Sequence, residues 1–410
     1  MNRQTITALL SMILSTACFA QPTSGPGVLV GLDNLQTHSR LFEHKRLGVI
    51  TNHTGVDRQG RTTVAALSAL PGVRIVALFS PEHGFDGKLE AGLRVPDQND
   101  NTQPIPIYSL YGESRKPTET MLKGVEVLVF DIQDVGSRFY TYTSTMSVSM
   151  EAAAEAKIPF VVLDRPDPIN GNSVEGPLLD KKFASFIGLH RIPVRYGLTI
   201  GELARLINQQ GWLKDGVKAD LTVIPLQNWT RSTWWDRTGL PFVPPSPNIR
   251  TLDAAIAFPG VCLIEGTNLS EGRGTDQPFL QFGAPWVNGL DLAKKLNDLK
   301  LAGVRFESIR FKPISSKFQD TDCSGCRLVI TNRDSFQPFW TGVQMIKMLC
   351  ESYPADFKFL ASHFDLLCGT DTVRLAIEQH KDPAGLQKQW QADIETFRAI
   401  CKSILLYGQE

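Results

Sequence analysis

The chain has 410 residues, 42% hydrophobic and 20% charged, which is the composition of an ordinary folded protein too long for one core, so two domains are expected. Lys+Arg and Asp+Glu each total 42, so the formal net charge is zero. Without a basic surplus to neutralise a phosphate backbone, nucleic acid is not expected as the main partner.

Residues 1–20 read as a signal peptide. Weakly basic Met1-Asn2-Arg3 precedes a largely apolar stretch, which ends on small residues at Ala20. Cleavage there would export the chain to the periplasm or the medium, whereas lipidation at Cys18 would make it a lipoprotein. The apolar stretch is too short to span a bilayer comfortably, and charges interrupt every later apolar run. No stable membrane span is expected.

Strands are expected at 47–51, 74–79, 106–108, 125–131 and 159–164, with helices at 62–70 and 144–156. A helix at 198–210 and a strand at 219–225 follow. Apolar runs of this length, separated by helices, indicate a parallel sheet covered on both faces. The carboxyl ends of such strands share one edge, where α/β proteins place their ligands. Three of these strands stop at polar groups: Asn52-His53, Ser80-Pro81-Glu82-His83 and Asp131-Ile132-Gln133-Asp134. The Pro-rich stretch 240–247 reads as a rigid turn, and the apolar run 257–264 as a further strand. Beyond Phe279 the pattern becomes that of a smaller α+β domain. It has a helix at 290–299, strands at 304–311 and 327–331, and helices at 338–350 and 384–405. Seven cysteines less Cys18 leave six. Cys323 and Cys326, placed just before a strand, are the best local disulfide pair if there is one.

The loop 265–279 follows the apolar run 257–264 and carries Glu265, Asn268, Arg273 and Thr275 among three glycines. Glycine lets a backbone approach a ligand, and Arg273 offers a planar fork suited to a carboxylate. Glu82 sits at a strand mouth between Pro81 and His83, with Gly84 allowing a sharp exit. A glutamate shielded from water there holds its proton more readily and can serve as a general acid. Glu90 is a possible second carboxylate. Asp131, Asp134, Arg138, Tyr140 and Tyr142 set aromatic faces beside carboxylates, which suits a sugar ring. Asp164 and Arg165 are expected to pair within a turn. No tight metal-ligand motif is present, so no metal is expected. Neither Gly-x-Gly-x-x-Gly after the first strand nor Gly-x-Ser-x-Gly occurs, which leaves no dinucleotide cradle and no nucleophile elbow. No cofactor is expected.

Several blocks together resemble a known family. They are Thr51-Asn52-His53-Thr54-Gly55, Ser80-Pro81-Glu82-His83-Gly84, Tyr108-Ser109-Leu110-Tyr111-Gly112, residues 131–142, Asp164-Arg165-Pro166, Pro245-Ser246-Pro247-Asn248 and the 265–279 loop. The chain is similar, from about residue 27 onward, to the family catalogued as DUF1343. That family is associated with the exo-β-N-acetylmuramidase NamZ and glycoside hydrolase family 171. The resemblance implies a Rossmann-like catalytic domain at 27–260, then a smaller C-terminal auxiliary domain at 261–410, with the site in the cleft between them. It also implies release of N-acetylmuramic acid from the non-reducing end of peptidoglycan fragments. On that reading Glu82 is the acid, and the second catalytic group is Glu265, Asp131, Glu90 or the substrate's own acetamide. Arg273 or Arg138 would grip the lactyl carboxylate in a bidentate contact. Two other functions fit the same residues: a non-catalytic muropeptide-binding protein, or a cell-wall amidase or esterase with His83 as base.

Overall fold

The computed structural model describes residues 27–97 and 105–408; the expected signal at 1–20 and Cys18 lie outside them. Six parallel strands form the first sheet: β1 (Arg46–Thr51), β2 (Arg74–Ser80), β3 (Ile107–Ser109), β4 (Val127–Asp131), β5 (Phe160–Leu163) and β6 (Leu221–Ile224). Their spatial order is β3-β2-β1-β4-β5-β6, so the winding reverses between β1 and β4. The carboxyl ends flanking such a reversal open into a crevice.

The pleat divides the apolar side chains cleanly between the two faces. Leu47, Val49, Val127, Val129, Val161 and Leu163 enter one core. Ile50, Leu128, Phe130, Phe160 and Val162, one step out of phase, enter the other. Helices α1 (Thr63–Ser68), α2 (Tyr142–Glu155) and α3 (Ile200–Gln210) complete this part. α3 is locally determined at both ends. Thr199 and Glu202 form a reciprocal capping box, and Gly211 closes the helix with φ 65°.

The second core does not stop at the first sheet; it continues through Phe258, Leu263, Phe282 and Phe339 into the rest of the chain. That portion begins with α4 (Leu252–Val261), where a strand was expected at 257–264. Thr251 caps the helix by accepting from the Ala254 amide, and every residue of the helix from Ala254 onward is buried. A helix buried on all sides shows no polar face, so its sequence is as uniformly apolar as a buried strand. Three antiparallel strands follow, β7 (Gln281–Ala284), β8 (Val304–Phe311) and β9 (Cys323–Ile330), in the order β7-β9-β8. α5 (Gly289–Asp298) lies between β7 and β8. α6 (Pro338–Ser352), α7 (Ala361–Cys368), α8 (Thr372–Glu378) and α9 (Ala384–Cys401) complete the domain.

α6 packs on α4 where Gly260 meets residues 338–342. A Cβ on Gly260 would lie 1.8 Å from the Pro338 carbonyl oxygen. Cys323 and Cys326 fall inside β9 rather than before it, and both are free thiols. Three residues apart along a strand, they project to opposite faces and cannot bridge.

The chain then returns to the first sheet. Tyr407 donates to Asp164 at the end of β5 and accepts from the Leu226 amide at 2.9 Å. The Leu406 amide donates to Glu202 at 2.9 Å. No helix among the described residues is long and apolar enough to cross a membrane.

Candidate active site

A cleft of about 500 Å³ opens between the carboxyl edge of the first sheet and the second domain. Its floor is apolar and aromatic, with Phe139, Tyr140, Phe258 and Phe279. Its two walls carry charge. Glu82 and His83 come from the sheet side, and Glu265, Glu271, Arg273 and Lys317 from the facing side.

Glu82 stands two residues past β2, in a tight turn closed by the Gly84 amide on the Pro81 carbonyl at 3.1 Å. His83 adopts φ 72° there, a left-handed conformation that costs a non-glycine residue energy. The turn swings the Glu82 side chain into the cleft, where it is 7% exposed. One carboxylate oxygen accepts the Gly92 amide at 2.7 Å and the other the Thr141 hydroxyl at 2.6 Å. Tyr111 also donates its hydroxyl to Glu82. Burial and the charge on Glu82 push the Tyr111 phenol up to about 12, so it stays protonated as a donor.

His83 Nδ1 lies 2.6 Å from the Leu89 carbonyl. A carbonyl only accepts, so Nδ1 carries the hydrogen, and Nε2 of the neutral ring carries the lone pair. Burial lowers the His83 pKa against the opposing pull of Glu82. The ring is therefore neutral at pH 7.

The facing wall is a chain of alternating charges. Arg273 donates to one Glu265 oxygen through Nη2 at 2.6 Å and Nε at 3.1 Å, and its Nε lies 3.2 Å from Glu271. Its guanidinium rests over the Phe279 ring, 4.9 Å from the centroid. His363 Nε2 approaches the other Glu265 oxygen at 3.7 Å. Lys317 Nζ donates to the Ile264 and Glu265 carbonyls at 3.2 Å each, and to Glu271 at 3.3 Å.

These contacts split the two glutamates. Burial pushes Glu265 up, but Arg273 and His363 outweigh it and hold its carboxyl at about 2. In Glu271 burial prevails over Lys317, and the pKa rises. Burial disfavours the charge on Arg273 as well, yet the two glutamates outweigh it and raise its pKa. The bidentate fork expected to meet a substrate carboxylate is thus already engaged by the protein. Nη1 has no hydrogen-bond partner among the described residues and is the part of Arg273 left for a ligand.

Several residues read as site candidates from sequence are structural. Asp131 is wholly buried and receives Arg165 at 2.5 and 3.0 Å and Thr63 at 2.5 Å. The expected partner of Arg165, Asp164, meets only its backbone amide. Arg138 is 1% exposed, and its guanidinium donates to four carbonyls, those of Pro177, Ile192, Leu367 and Cys368. That geometry ties the first domain to α7 and leaves no face for substrate. Asp134 is buried against Tyr196 and the Gly136 amide, with its carboxyl pushed up by burial to about 6.

Asn52 and Tyr142 bond each other at 3.0 Å, and the Tyr142 hydroxyl donates to the Pro245 carbonyl at 2.8 Å. They brace the 244–248 segment rather than line the cleft. Asn268 ties its loop to residues 356–358, and Thr275 bonds Gly272 within the loop and Gln281 at the start of β7. Glu90 is exposed at the rim and accepts from Asn248 at 2.8 Å.

Glu82, His83, Tyr140, Glu265, Arg273 and Glu90 therefore share the cleft, while Asp131, Asp134, Arg138, Asn52, Tyr142, Asn268 and Thr275 do not line it. Tyr111, Thr141, Glu271, Lys317 and His363 were not foreseen. The first three lie inside motifs already singled out, whereas Lys317 and His363 carry no local signal. Among the described residues no group of three or more His, Cys, Asp or Glu could hold a metal ion.

Comparison with known proteins agrees across the whole chain. Residues 47–253 match the N-terminal model of the exo-β-N-acetylmuramidase NamZ, and residues 256–407 match its C-terminal model. The peptidoglycan β-N-acetylmuramidase NamZ of Bacillus subtilis is 43% identical over 417 residues, covering 99% of this chain and 100% of its own. Two DUF1343 family proteins of Bacteroides fragilis share the fold. One has TM-score 0.86 and 35% identity, covering 93% of this chain and 99% of its own. The other has TM-score 0.75 and 32% identity, covering 94% and 100%.

Proposed function

This chain belongs to the NamZ family of exo-β-N-acetylmuramidases, and from that premise we propose that it releases N-acetylmuramic acid from the non-reducing end of peptidoglycan fragments. The signal read at residues 1–20 would carry it across the cytoplasmic membrane, to where peptidoglycan lies. The observation that carries the assignment of roles is Glu82. It is a nearly buried carboxyl in the cleft, gripped by Gly92, Thr141 and Tyr111, and it faces a wall that keeps Glu265 ionised.

Glu82 gives its proton to the glycosidic oxygen as the bond from that oxygen to the anomeric carbon breaks. The three donors then stabilise the carboxylate left behind. Glu265, held at about 2, presents a fixed negative charge to the cationic sugar of the transition state. Water adds its hydroxyl to the anomeric carbon, and its remaining proton restores Glu82. The lactyl carboxylate of the substrate is met by Arg273 Nη1 and by Lys317, both of which line the cleft. Tyr140 and Phe279 provide apolar surface beneath the ring.

The deciding experiment is to incubate the protein with the disaccharide N-acetylmuramyl-β-1,4-N-acetylglucosamine and identify the products. Free N-acetylmuramic acid supports the assignment. Tight binding without turnover would make the protein a muropeptide-binding one, and release of the stem peptide from a muropeptide, with no sugar freed from either substrate, would make it an amidase.

A further inference from the structure

Next to Glu82, on its outer side, lies a ledge that the catalytic residues do not use. Tyr111, which donates to Glu82, faces Phe186 with ring centroids 5.9 Å apart and planes at 53°. Arg115 lies over both rings, its guanidinium carbon 4.5 Å from the Phe186 centroid and 5.2 Å from that of Tyr111. Ile187 and Leu93 continue the apolar surface to the cleft, and Leu93 is 53% exposed. Arg115 is exposed, and among the described residues no carboxylate pairs with it and no acceptor takes its donors.

We propose that this ledge is the leaving-group subsite: Tyr111 and Phe186 carry the N-acetylglucosamine ring being released, and Arg115 takes the lactyl carboxylate of the muramyl residue beyond it. The inference rests on Glu82 being the acid of the proposed hydrolysis. The oxygen that Glu82 protonates belongs to the departing sugar, so the surface touching Glu82 from outside must meet that sugar. Flat aromatic faces suit the apolar side of a pyranose ring. A guanidinium already stacked on aromatic rings keeps its rim of N–H donors free and fixed in direction for an anion. The array around Arg273 meets the muramyl ring that is cut off, and Arg115 meets the carboxylate of the next one. The same chemical signature would thus be read twice along one glycan.

Three substrates separate the subsite from the chemistry. These are the β-fluoride of N-acetylmuramic acid, which has no leaving sugar; the disaccharide; and the peptide-free tetrasaccharide, whose leaving fragment carries one lactyl carboxylate. Phe186→Ala should lower the ratio of kcat/KM for disaccharide over fluoride about tenfold. Arg115→Ala should lower the ratio for tetrasaccharide over disaccharide about fivefold, as suits an exposed but preorganised charge pair. If Phe186→Ala leaves the first ratio unchanged, the stacking surface is misplaced. If Arg115→Ala leaves the second unchanged, the carboxylate contact is wrong. A wild-type protein that turns over none of the three would instead overturn the proposed hydrolysis itself.

Discussion

Replacing Arg273 by Met should cost the fold several kcal/mol, because the side chain does more than face the cleft. It stands between Glu265 and Glu271, with side-chain exposures of 18% for Arg273, 19% for Glu265 and 2% for Glu271. Holding the Glu265 carboxyl at about 2 instead of its ordinary 4.5 corresponds to roughly 3 kcal/mol. Removing one partner from a buried ion pair costs about 3–5 kcal/mol in general, so the two figures agree.

The cost depends on pH, with a definite sign. In the wild type a depressed pKa contributes stability that is complete above about 4.5 and is lost as pH falls through about 2. In the variant burial is opposed only by His363 at Glu265 and chiefly by Lys317 at Glu271, so both pKa values should rise above those of the unfolded chain. The variant therefore loses stability as pH climbs above about 4.5. Urea unfolding followed by circular dichroism at pH 8 and pH 5 should show a gap of about 3–5 kcal/mol at pH 8 that shrinks markedly at pH 5. A gap under about 1 kcal/mol at pH 8, or the same gap at both, would mean that water already screens the array.

Glu82→Gln should keep its melting temperature while turnover of the disaccharide falls about 100-fold or more, the usual loss when a general acid is removed. The loss should be much smaller on the glycosyl fluoride, and equal losses on both would remove Glu82 from the acid role. Lys317→Met should reduce kcat/KM for a muramide about tenfold and for the matching glucosaminide little, since only the former carries the lactyl carboxylate. Equal effects on both sugars would make Lys317 a clamp on residues 264–271 alone. Dialysis against a chelator should leave activity intact; loss restored by one divalent cation would refute the metal-free mechanism. Thiol reductant should not shift the melting temperature, because Cys323 and Cys326 occupy opposite faces of β9.

The parallel sheet was legible because buried strands read as unbroken apolar runs, and β1, β2 and β4 each end at the polar groups expected. Which of those groups reaches ligand was not legible. Asp131 ends its strand as clearly as Glu82 follows one, but Arg165 and Thr63 claim it beneath the surface. Only the pairing of distant segments decides that. The run at 257–264 was misread for a different reason: burial on every side erases the periodicity that tells a helix from a strand. Arg138 looked like a ligand fork because a charged residue after a strand usually faces outward. Here four carbonyls from three separate segments surround it, a context that no local spacing reports. Lys317 enters the cleft from a loop and His363 from α7, far from the other cleft residues in sequence, so nothing near them marks them.

The return of the chain end to the first sheet bears on the order in which the protein can be made. Asp164, Glu202 and Arg231 form a buried group beside β5 and α3, and Arg231 donates to Glu202 at 2.8 Å. Tyr407 supplies a hydroxyl to Asp164, the Leu406 amide donates to Glu202, and the Gly408 carbonyl accepts the Arg231 amide at 3.0 Å. A nascent chain that has emerged only as far as α9 therefore exposes an incomplete polar seam in its oldest part. Desolvating carboxyls that still lack some of their donors is costly, so that seam should stay open and hydrated until residues 406–408 arrive. Synthesis runs from one end to the other, yet residues 406–408 close a sheet made long before them, so that sheet stays loose until they arrive.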